Sequence, residues 1–347
     1  MITVLTGGTG GAKFVDGLRQ IVPPEELTVI VNTGDDLVWW GLYVSPDIDS
    51  IMYMLAGRLS QERGWGVKGD TFYCSQAMGK MGQPTWFHIG DRDLATHILR
   101  SKFLTEGKSL SEATTEIAAR LGIKERVLPM SDQRVETRVL TPLGELSFEE
   151  YFVRRWYQDP VESVRFAGAS NAAPAPGVIE AIRSSELVLL APSNPITSIG
   201  PILAVPGIRV ALGETHACIA AVSPIVGGTA VTGPAGVLMA AQGLAVSIAG
   251  VAECYRDFLD LLVVDVKDTR AADELAARTN TLRVHCVPSI MRTNEDRVAL
   301  AKNVVAACRQ FSEHSSSRHS PAQQSPPQPS AQLSPQTSAT KAATERS

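Results

Sequence analysis

Residues 2–13 read ITVLTGGTGGAK, an apolar run that passes directly into a glycine-rich turn and then into an amphipathic helix predicted over residues 12–21. A second apolar run, residues 27–31, follows this helix. A strand, a glycine turn, a helix and a second strand in this order are typical of a βαβ unit, whose phosphate-binding turn lies at the carboxyl end of the first strand. The stretch therefore predicts an α/β fold built on a parallel sheet.

The same alternation of strands and helices returns in the second half of the chain. Helices are predicted at residues 175–184, 234–242 and 251–258, and strands at residues 187–191, 208–212, 245–248 and 261–265. We expect one doubly wound, Rossmann-like parallel sheet over residues 1–312. Residues 47–158 read as a mostly helical insertion that could act as a lid, with a β-rich piece at residues 136–148. Residues 313–347 are rich in Ser, Pro and Gln and are predicted to be disordered.

The composition of the 347-residue chain argues against several classes of protein. A net charge of −4, with scattered Lys and Arg, leaves no basic surface for nucleic acid. No apolar window approaches the roughly 20 residues that span a bilayer, and the N-terminus reads as a strand rather than a signal peptide. The five cysteines show no CxxC spacing and are expected to be reduced thiols. We therefore expect a cytoplasmic protein with no nucleic-acid or membrane partner.

The glycine turn supplies the first candidate binding residues, Gly7, Gly8, Thr9, Gly10 and Lys13. Glycines let the backbone approach an anion closely, and the N-terminus of the following helix has free N–H donors. The turn lacks the Gly-Lys-Ser/Thr ending of a Walker A loop, and no acid closes the second strand as in a dinucleotide fingerprint. It predicts a phosphate site, while a tight turn that serves packing alone is the open alternative.

Four aspartates follow the second predicted strand within a short distance, namely Asp35, Asp36, Asp47 and Asp49. Carboxylates that converge in space repel one another unless a cation or a hydroxyl lies between them, and oxygen ligands suit Mg²⁺. We therefore predict a magnesium site that uses some of these side chains. Helix capping is the alternative for each of them, since Asp is a preferred N-cap residue.

Two later loops add candidates for phosphate or nucleotide binding. Arg92 precedes a predicted helix and suits bidentate contact with a phosphate. The loop of residues 191–201 carries Ser193, Asn194 and Ser198 between three prolines. Such a loop at the end of a buried strand can offer N–H groups to a phosphate or a nucleobase with little loss of entropy.

Taken together, these stretches resemble the 2-phospholactate (or phosphoenolpyruvate) transferase family of coenzyme F420 biosynthesis, in order and spacing, over about residues 1–310. The matching stretches are GGTGGAK (7–13), VNTGDD (31–36), SPDID (45–49), GDRDLATH (90–97), LPMSD (128–132), SNPITSIGP (193–201), VSPIVGG (222–228) and GVAE (250–253). Any one of these motifs is weak evidence, whereas eight in sequence are specific.

The resemblance implies a phosphoryl transfer. The ribityl hydroxyl of the deazaflavin Fo would attack the phosphate that bears the lactyl or enolpyruvyl group of a guanosine diphospho-ester, GMP would leave, and F420-0 or its dehydro form would result. It also implies a homodimer. Such chemistry needs positioning and charge neutralisation more than covalent help from the protein.

By position in the family's motifs, Asp49 and His88 would contact Fo, with Asp49 near the hydroxyl as orienter or base. The glycine turn and the 191–201 loop would hold the guanosine diphosphate half. Asp35 is the first candidate ligand for Mg²⁺, with Asp36 and Asp47 behind it, and Arg92 would neutralise charge. Two positions depart from the family's pattern, since His88 replaces a usual Lys or Arg and Thr232 stands where Lys is frequent.

A different function shares the glycine-rich opening. Regulatory nucleotide-sugar-binding proteins of the related gluconeogenesis-factor group begin in the same way, but the stretches at residues 45–49 and 90–97 favour the transferase. An NAD(P)-dependent oxidoreductase is disfavoured because the dinucleotide fingerprint is absent. The sequence leaves open whether the donor carries phospholactate, phosphoenolpyruvate or phosphoglycerate.

Overall fold

The structure is a computed structural model and describes residues 1–279 and 281–318. Its strands, in chain order, are β1 (Ile2–Thr6), β2 (Leu27–Val31), β3 (Leu37–Trp39), β4 (Leu42–Val44), β5 (Arg126–Pro129), β6 (Glu136–Thr141), β7 (Gly144–Ser147), β8 (Ser163–Ala167), β9 (Leu187–Leu190), β10 (Cys218–Val222), β11 (Ile225–Val226), β12 (Thr229–Ala230), β13 (Leu261–Asp265) and β14 (Arg283–Val287).

The α-helices are α1 (Gly8–Leu18), α2 (Pro46–Leu55), α3 (Tyr73–Lys80), α4 (Asp91–Thr105), α5 (Leu110–Arg120), α6 (Val178–Ser184), α7 (Gly200–Ala204), α8 (Ile208–Glu214), α9 (Ala235–Ala241), α10 (Ile248–Cys254), α11 (Thr269–Arg278) and α12 (Asn294–Arg318). Short 3-10 turns lie at Pro24–Glu26, Ala169–Asn171 and Val266–Asp268, and a π-helical turn covers Glu150–Arg154.

A seven-stranded sheet lies at the centre of the described residues, in the order β14-β13-β10-β9-β1-β2-β5. Every pairing in it is parallel. The strand order reverses between β1 and β9, and ligands of open α/β sheets bind at the carboxyl ends of strands at such a switch point. The doubly wound, Rossmann-like prediction is confirmed.

The central strands are buried on both faces, as a parallel sheet requires. In β1, Val4 packs into the hydrophobic core with helices α1, α2, α5 and α12, and the next residue, Leu5, packs into the core with α6 to α10. Successive side chains of a strand point to opposite faces, so a continuous apolar run serves both cores.

Two predicted strands are wrong. Residues 208–212 begin α8, and residues 245–248 lead into α10 without a strand. In the first of these segments Ile208, Ala211 and Leu212 are buried while Val210 is exposed, which is the i, i+3, i+4 spacing of a helix face. The strand that the sheet uses is β10, which begins several residues later.

The predicted insertion over residues 47–158 is interrupted by the main sheet. Helices α2 to α5 do lie in it, but β5 pairs with β2 at the sheet edge. The β-rich piece then joins β8 in a three-stranded antiparallel sheet, β7-β6-β8.

The C-terminal boundary also differs from the prediction. Helix α12 extends to Arg318, past residue 313, and the rest of the segment predicted to be disordered lies outside the described residues. In the part of the chain that the structure describes, no helix combines the length and the apolar character needed to cross a membrane.

Candidate active site

The glycine turn and the 191–201 loop lie side by side at the switch point between β1 and β9. Ser193 Oγ donates to the carbonyl oxygen of Gly7 at 2.7 Å, and the Gly7 N–H donates back to Ser193 Oγ at 3.4 Å. A Cβ on Gly10 would lie 2.5 Å from the carbonyl oxygen of Pro192. Because real Cβ atoms are not found so close to a backbone oxygen, the contact between the two loops requires glycine at position 10.

The other residues predicted to bind the guanosine diphosphate half lie in the same region. A Cβ on Gly7 would lie 3.0 Å from Ser198 Cβ, so Ser198 borders the start of α1. Asn194 Oδ1 accepts from the Ile196 N–H at 3.0 Å and so stabilises its own loop. Thr9 is exposed and Lys13 is half-buried, both on α1.

Asp47 binds the glycine turn directly. Its Oδ1 accepts from the Gly8 N–H at 2.7 Å, and its Oδ2 accepts from Asn32 Nδ2 at 2.9 Å. The same Asn32 nitrogen donates to Asp35 Oδ2 at 2.9 Å. Asn32 directly follows β2, which places it at the edge of the sheet where β1 also ends.

Asp35 and Asp36 are buried and each has one oxygen without a hydrogen-bond partner among the described residues, Oδ1 in both cases. Burial raises the pKa of Asp35 well above its usual range, and the charges of Asp47, Glu149 and Asp36 add to the effect. Burial also raises the pKa of Asp36 to about 8. Glu149 is buried near them, and burial together with the charges of Asp47 and Asp36 raises its pKa to about 8.

This acidic cluster (Asp35, Asp36, Asp47 and Glu149) has the donor chemistry of a magnesium site. Among the residues described, no group of three or more His, Cys, Asp or Glu side chains is close enough to hold a metal ion by itself. Protein sites for Mg²⁺ commonly supply one or two carboxylates and leave the remaining positions to water and substrate phosphates. The free oxygens of Asp35 and Asp36 fit that arrangement.

Asp49 is buried, and a buried arginine binds its carboxylate. Arg100 Nη1 donates to Asp49 Oδ2 at 3.0 Å, and Arg100 Nη2 donates to Asp49 Oδ1. His97 lies between two carboxylates, with Nδ1 3.4 Å from Asp49 Oδ2 and Nε2 3.2 Å from Asp93 Oδ1. Tyr53 Oη also donates to Asp93 Oδ1, at 2.7 Å.

Arg92 and His88 are both exposed. Arg92 is in the first turn of α4, and its Nη1 donates to the carbonyl oxygen of Lys68 at 3.3 Å. His88 packs edge-on against Phe72, with ring centroids 6.4 Å apart. The structure therefore places these two residues at the surface and Asp49 in the interior.

His88 and Phe72 line a cavity of about 540 Å³. Arg63 packs over the rings of Trp65 and Phe72, with its Cζ 5.4 and 5.1 Å from the two centroids. The rest of the lining is formed by Ser75, Gln76, Gly79 and Thr85. No motif in the sequence indicated this aromatic cavity.

The cavity wall reaches the glycine turn. Between Arg63 and Trp65, a Cβ on Gly64 would lie 3.4 Å from Thr9 Cγ2, which is ordinary contact distance or slightly closer. The aromatic cavity and the start of α1 are therefore adjacent.

Comparison with known proteins identifies the family. The model of a family described as 2-phospho-L-lactate transferase CofD matches residues 2–304. The chain is 44 % identical over 309 residues to 2-phospho-L-lactate transferase of Methanococcoides burtonii, covering 87 % of this chain and 98 % of that protein. It is 42 % identical over 318 residues to phosphoenolpyruvate transferase of Streptomyces coelicolor, covering 90 % of this chain and 99 % of that protein.

A solved structure shares the fold alone. A crystal structure of a UPF0052 family protein from Bacillus halodurans matches with a TM-score of 0.58 at 15 % identity, covering 88 % of this chain and 98 % of that chain. The family model, by contrast, covers the central sheet and the loops of the candidate site. Because that match is joined by relatives aligned almost from end to end, the chain belongs to the 2-phospho-L-lactate transferase CofD family.

Proposed function

We propose that the protein transfers the phospholactyl or phosphoenolpyruvyl moiety of lactyl- or enolpyruvyl-2-diphospho-5′-guanosine to the ribityl hydroxyl of Fo. GMP would be released, and F420-0 or dehydro-F420-0 formed. Membership of the family supports this transfer within coenzyme F420 biosynthesis. Because relatives of similar identity carry the two different names, both donors stay in the proposal.

The observation that carries the proposal is the closeness of Gly64 to Thr9, since a Cβ built on Gly64 would lie 3.4 Å from Thr9 Cγ2. A transfer between two bound substrates requires that the acceptor and the phosphate lie side by side, since positioning supplies a large part of the rate. The segment Arg63–Trp65 therefore brings an aromatic cavity next to a phosphate-type glycine turn, as such a reaction needs.

The cavity suits a planar acceptor. Its volume of about 540 Å³ is within the range of about 300–1,000 Å³ that is usual for small-molecule sites. Trp65 and Phe72 offer rings for stacking, and Arg63 and His88 offer polar groups for the oxygen and nitrogen atoms of a deazaflavin. We place Fo in this cavity, with His88 among its contacts.

The donor diphosphate is proposed to lie at the start of α1, against the 191–201 loop. The first N–H groups of a helix have no partner within it, and the helix dipole favours an anion there. Asp35 and Asp36 would hold Mg²⁺, which when bound would neutralise charge on the diphosphate. Both oxygens of Asp47 already accept hydrogen bonds, from the Gly8 N–H and from Asn32. We therefore propose that Asp47 supports the metal site structurally and does not bind the ion directly.

Two further residues have proposed roles in the transfer. Arg92, exposed at the start of α4, would contact the phosphate and complete the neutralisation of charge. Both oxygens of Asp49 accept hydrogen bonds from Arg100. We therefore propose that Asp49 orients the Fo hydroxyl rather than acting as the base that removes the hydroxyl proton.

One incubation tests the proposal. The purified protein is mixed with Fo, Mg²⁺ and each guanylated donor in turn, and the products are identified by mass. We expect a phosphodiester of Fo and one equivalent of GMP from the phospholactyl or the enolpyruvyl donor, and omission of Mg²⁺ should abolish both. No product from either of these donors would contradict the proposal.

The alternative in the gluconeogenesis-factor group predicts a different ligand response. A transferase should be stabilised against heat by Fo and by GDP with Mg²⁺, because a ligand that binds only the folded state raises its stability. A nucleotide-sugar regulator should respond to a UDP-sugar instead. Stabilisation by a UDP-sugar without any response to Fo would favour the alternative.

A further inference from the structure

We propose that Arg100 is a positioning residue for donor binding, which acts through Asp49 to hold the first turn of α2, and with it Asp47, against the glycine turn. The proposal rests on the proposed function only in taking the glycine turn as the diphosphate site. Nothing in the family assignment points to Arg100.

Arg100 makes a bidentate contact with Asp49 in the protein interior. It is fully buried on α4 and donates through both terminal nitrogens to the two oxygens of Asp49. Such a bidentate pair fixes the carboxylate in direction as well as in distance. A surface arginine would supply charge alone, whereas this pair fixes α4 to the start of α2.

The fixed end of α2 carries the residue that touches the donor site. Asp47 and Asp49 are both in the first turn of α2. Asp47 accepts from the Gly8 N–H at 2.7 Å, at the first residue of α1. A shift of Asp49 relative to Arg100 therefore moves Asp47 and the Gly8 N–H together.

The buried charges agree with this role. Asp36 and Asp49 are buried carboxylates near Arg100, whose guanidinium places a positive charge beside them. Loss of the cation would add negative charge beside a site for an anionic diphosphate. Both the geometry and the charge of Arg100 thus favour donor binding.

Lysine tests this bidentate contact without removing the charge, because its ammonium group cannot make two parallel hydrogen bonds in a plane. We expect Arg100→Lys to raise the Kd for GDP with Mg²⁺ about tenfold, as measured by calorimetry, with unchanged stoichiometry. The Kd for Fo should rise by a smaller factor than the Kd for GDP, because Asp49 would meet only the Fo hydroxyl and the aromatic cavity would supply the other Fo contacts. Arg120→Lys, a matched change of an exposed arginine on α5, should leave both constants unchanged.

Asp49→Asn tests whether Arg100 acts through Asp49. The two substitutions should weaken GDP binding by factors that do not multiply in the double variant, because they break one contact. Factors that multiply would overturn the proposal, as would an unchanged GDP affinity in folded Arg100→Lys. A loss of stoichiometry at unchanged Kd would show a defect of folding alone and would also overturn it.

A second variant covers the case in which Arg100→Lys does not fold. Arg100→Gln keeps a hydrogen-bond donor without the charge and should weaken GDP binding at least as much. If neither variant folds, the pair serves the fold and the proposal is wrong. The GDP measurements need no turnover, so absence of transfer to Fo in the wild-type protein would contradict the proposed function alone.

Discussion

The side-chain amide of Asn32 lies 2.9 Å from an oxygen of Asp47 and at the same distance from an oxygen of Asp35. Its Nδ2 is also 3.3 Å from the carbonyl oxygen of Thr197, in the loop after β9. Its Oδ1 accepts from the Gly34 N–H at 2.8 Å. One buried amide therefore joins the loop after β2, the start of α2 and the 191–201 loop, and it supplies donors where two carboxylates meet.

Replacing this amide by a carboxylate is expected to be costly. Asn32→Asp would place a third acidic side chain against Asp35 and Asp47 and remove the donor that they share. We expect the free energy of unfolding, measured in urea without divalent cations, to fall by about 3 kcal/mol, the scale of a buried charge without a partner. Asn171→Asp, on the exposed surface, should change it by less than about 0.5 kcal/mol. Equal stability of the two variants would contradict this account of the site.

Gly10 tests the contact between the glycine turn and the neighbouring loop. In Gly10→Ala the new Cβ would meet the carbonyl oxygen of Pro192 at 2.5 Å, so either the first turn of α1 or the 191–201 loop must move. We expect the free energy of unfolding to fall by about 1–3 kcal/mol, as for other overpacked sites, and GDP binding to weaken.

Gly213→Ala is the matched control for this substitution. Gly213 is in α8, and a Cβ there would meet nothing within 4 Å. Alanine is favoured over glycine inside a helix, so this variant should be as stable as the wild type or more stable by up to about 1 kcal/mol. A destabilisation of similar size in both variants would show that the Pro192 contact is not the cause.

The sequence predicted the fold where local patterns and global packing agree. The run from Ile2 to Lys13 combines a buried strand with a turn that needs glycine, so β1 and α1 follow from it. The strand predicted at residues 208–212 was wrong because a short apolar run has no clear period, and burial by neighbouring elements decides between strand and helix. The edge strand β5 was missed for a related reason, since its partner β2 is remote in sequence.

The candidate site was predictable only in part. The glycine turn and the aspartates after β2 carry recognisable chemistry in a short stretch. Asp93, His97 and Arg100 follow an i, i+4, i+7 spacing that marks one face of a helix, and this pattern could have indicated a buried polar network. Glu149 has no such local signal, because the carboxylates that it faces come from distant parts of the chain.

Asp260 gives a pH-dependent contribution to stability that lies apart from the site. Its Oδ2 accepts from the Ile219 N–H at 2.8 Å, and burial raises the pKa of this carboxyl group. The folded state thus retains a proton that the unfolded state has lost, so stability falls as pH rises from the usual carboxyl pKa of about 4 towards the raised value. In Asp260→Asn the urea midpoint, measured at several pH values across that interval, should no longer show this fall with rising pH. An unchanged slope would exclude Asp260 as its source.

Glu149 tests the acidic cluster as a cation site. Its carboxyl group is buried beside Asp47 and Asp36, and its pKa is raised to about 8, so at a pH of about 9 and without divalent cations it is ionised and repelled by its neighbours. Glu149→Gln should then melt a few degrees above the wild type in EDTA, since repulsion is removed, and its melting temperature should rise less on addition of Mg²⁺.

Glu150→Gln is the matched control, because the neighbouring Glu150 contacts Ser147 and Arg154 instead of the cluster. That control should match the wild type in its response to Mg²⁺. If Glu149→Gln melts below the wild type in EDTA, or gains as much from Mg²⁺, the carboxylate serves the fold and Glu149 is not part of a cation site.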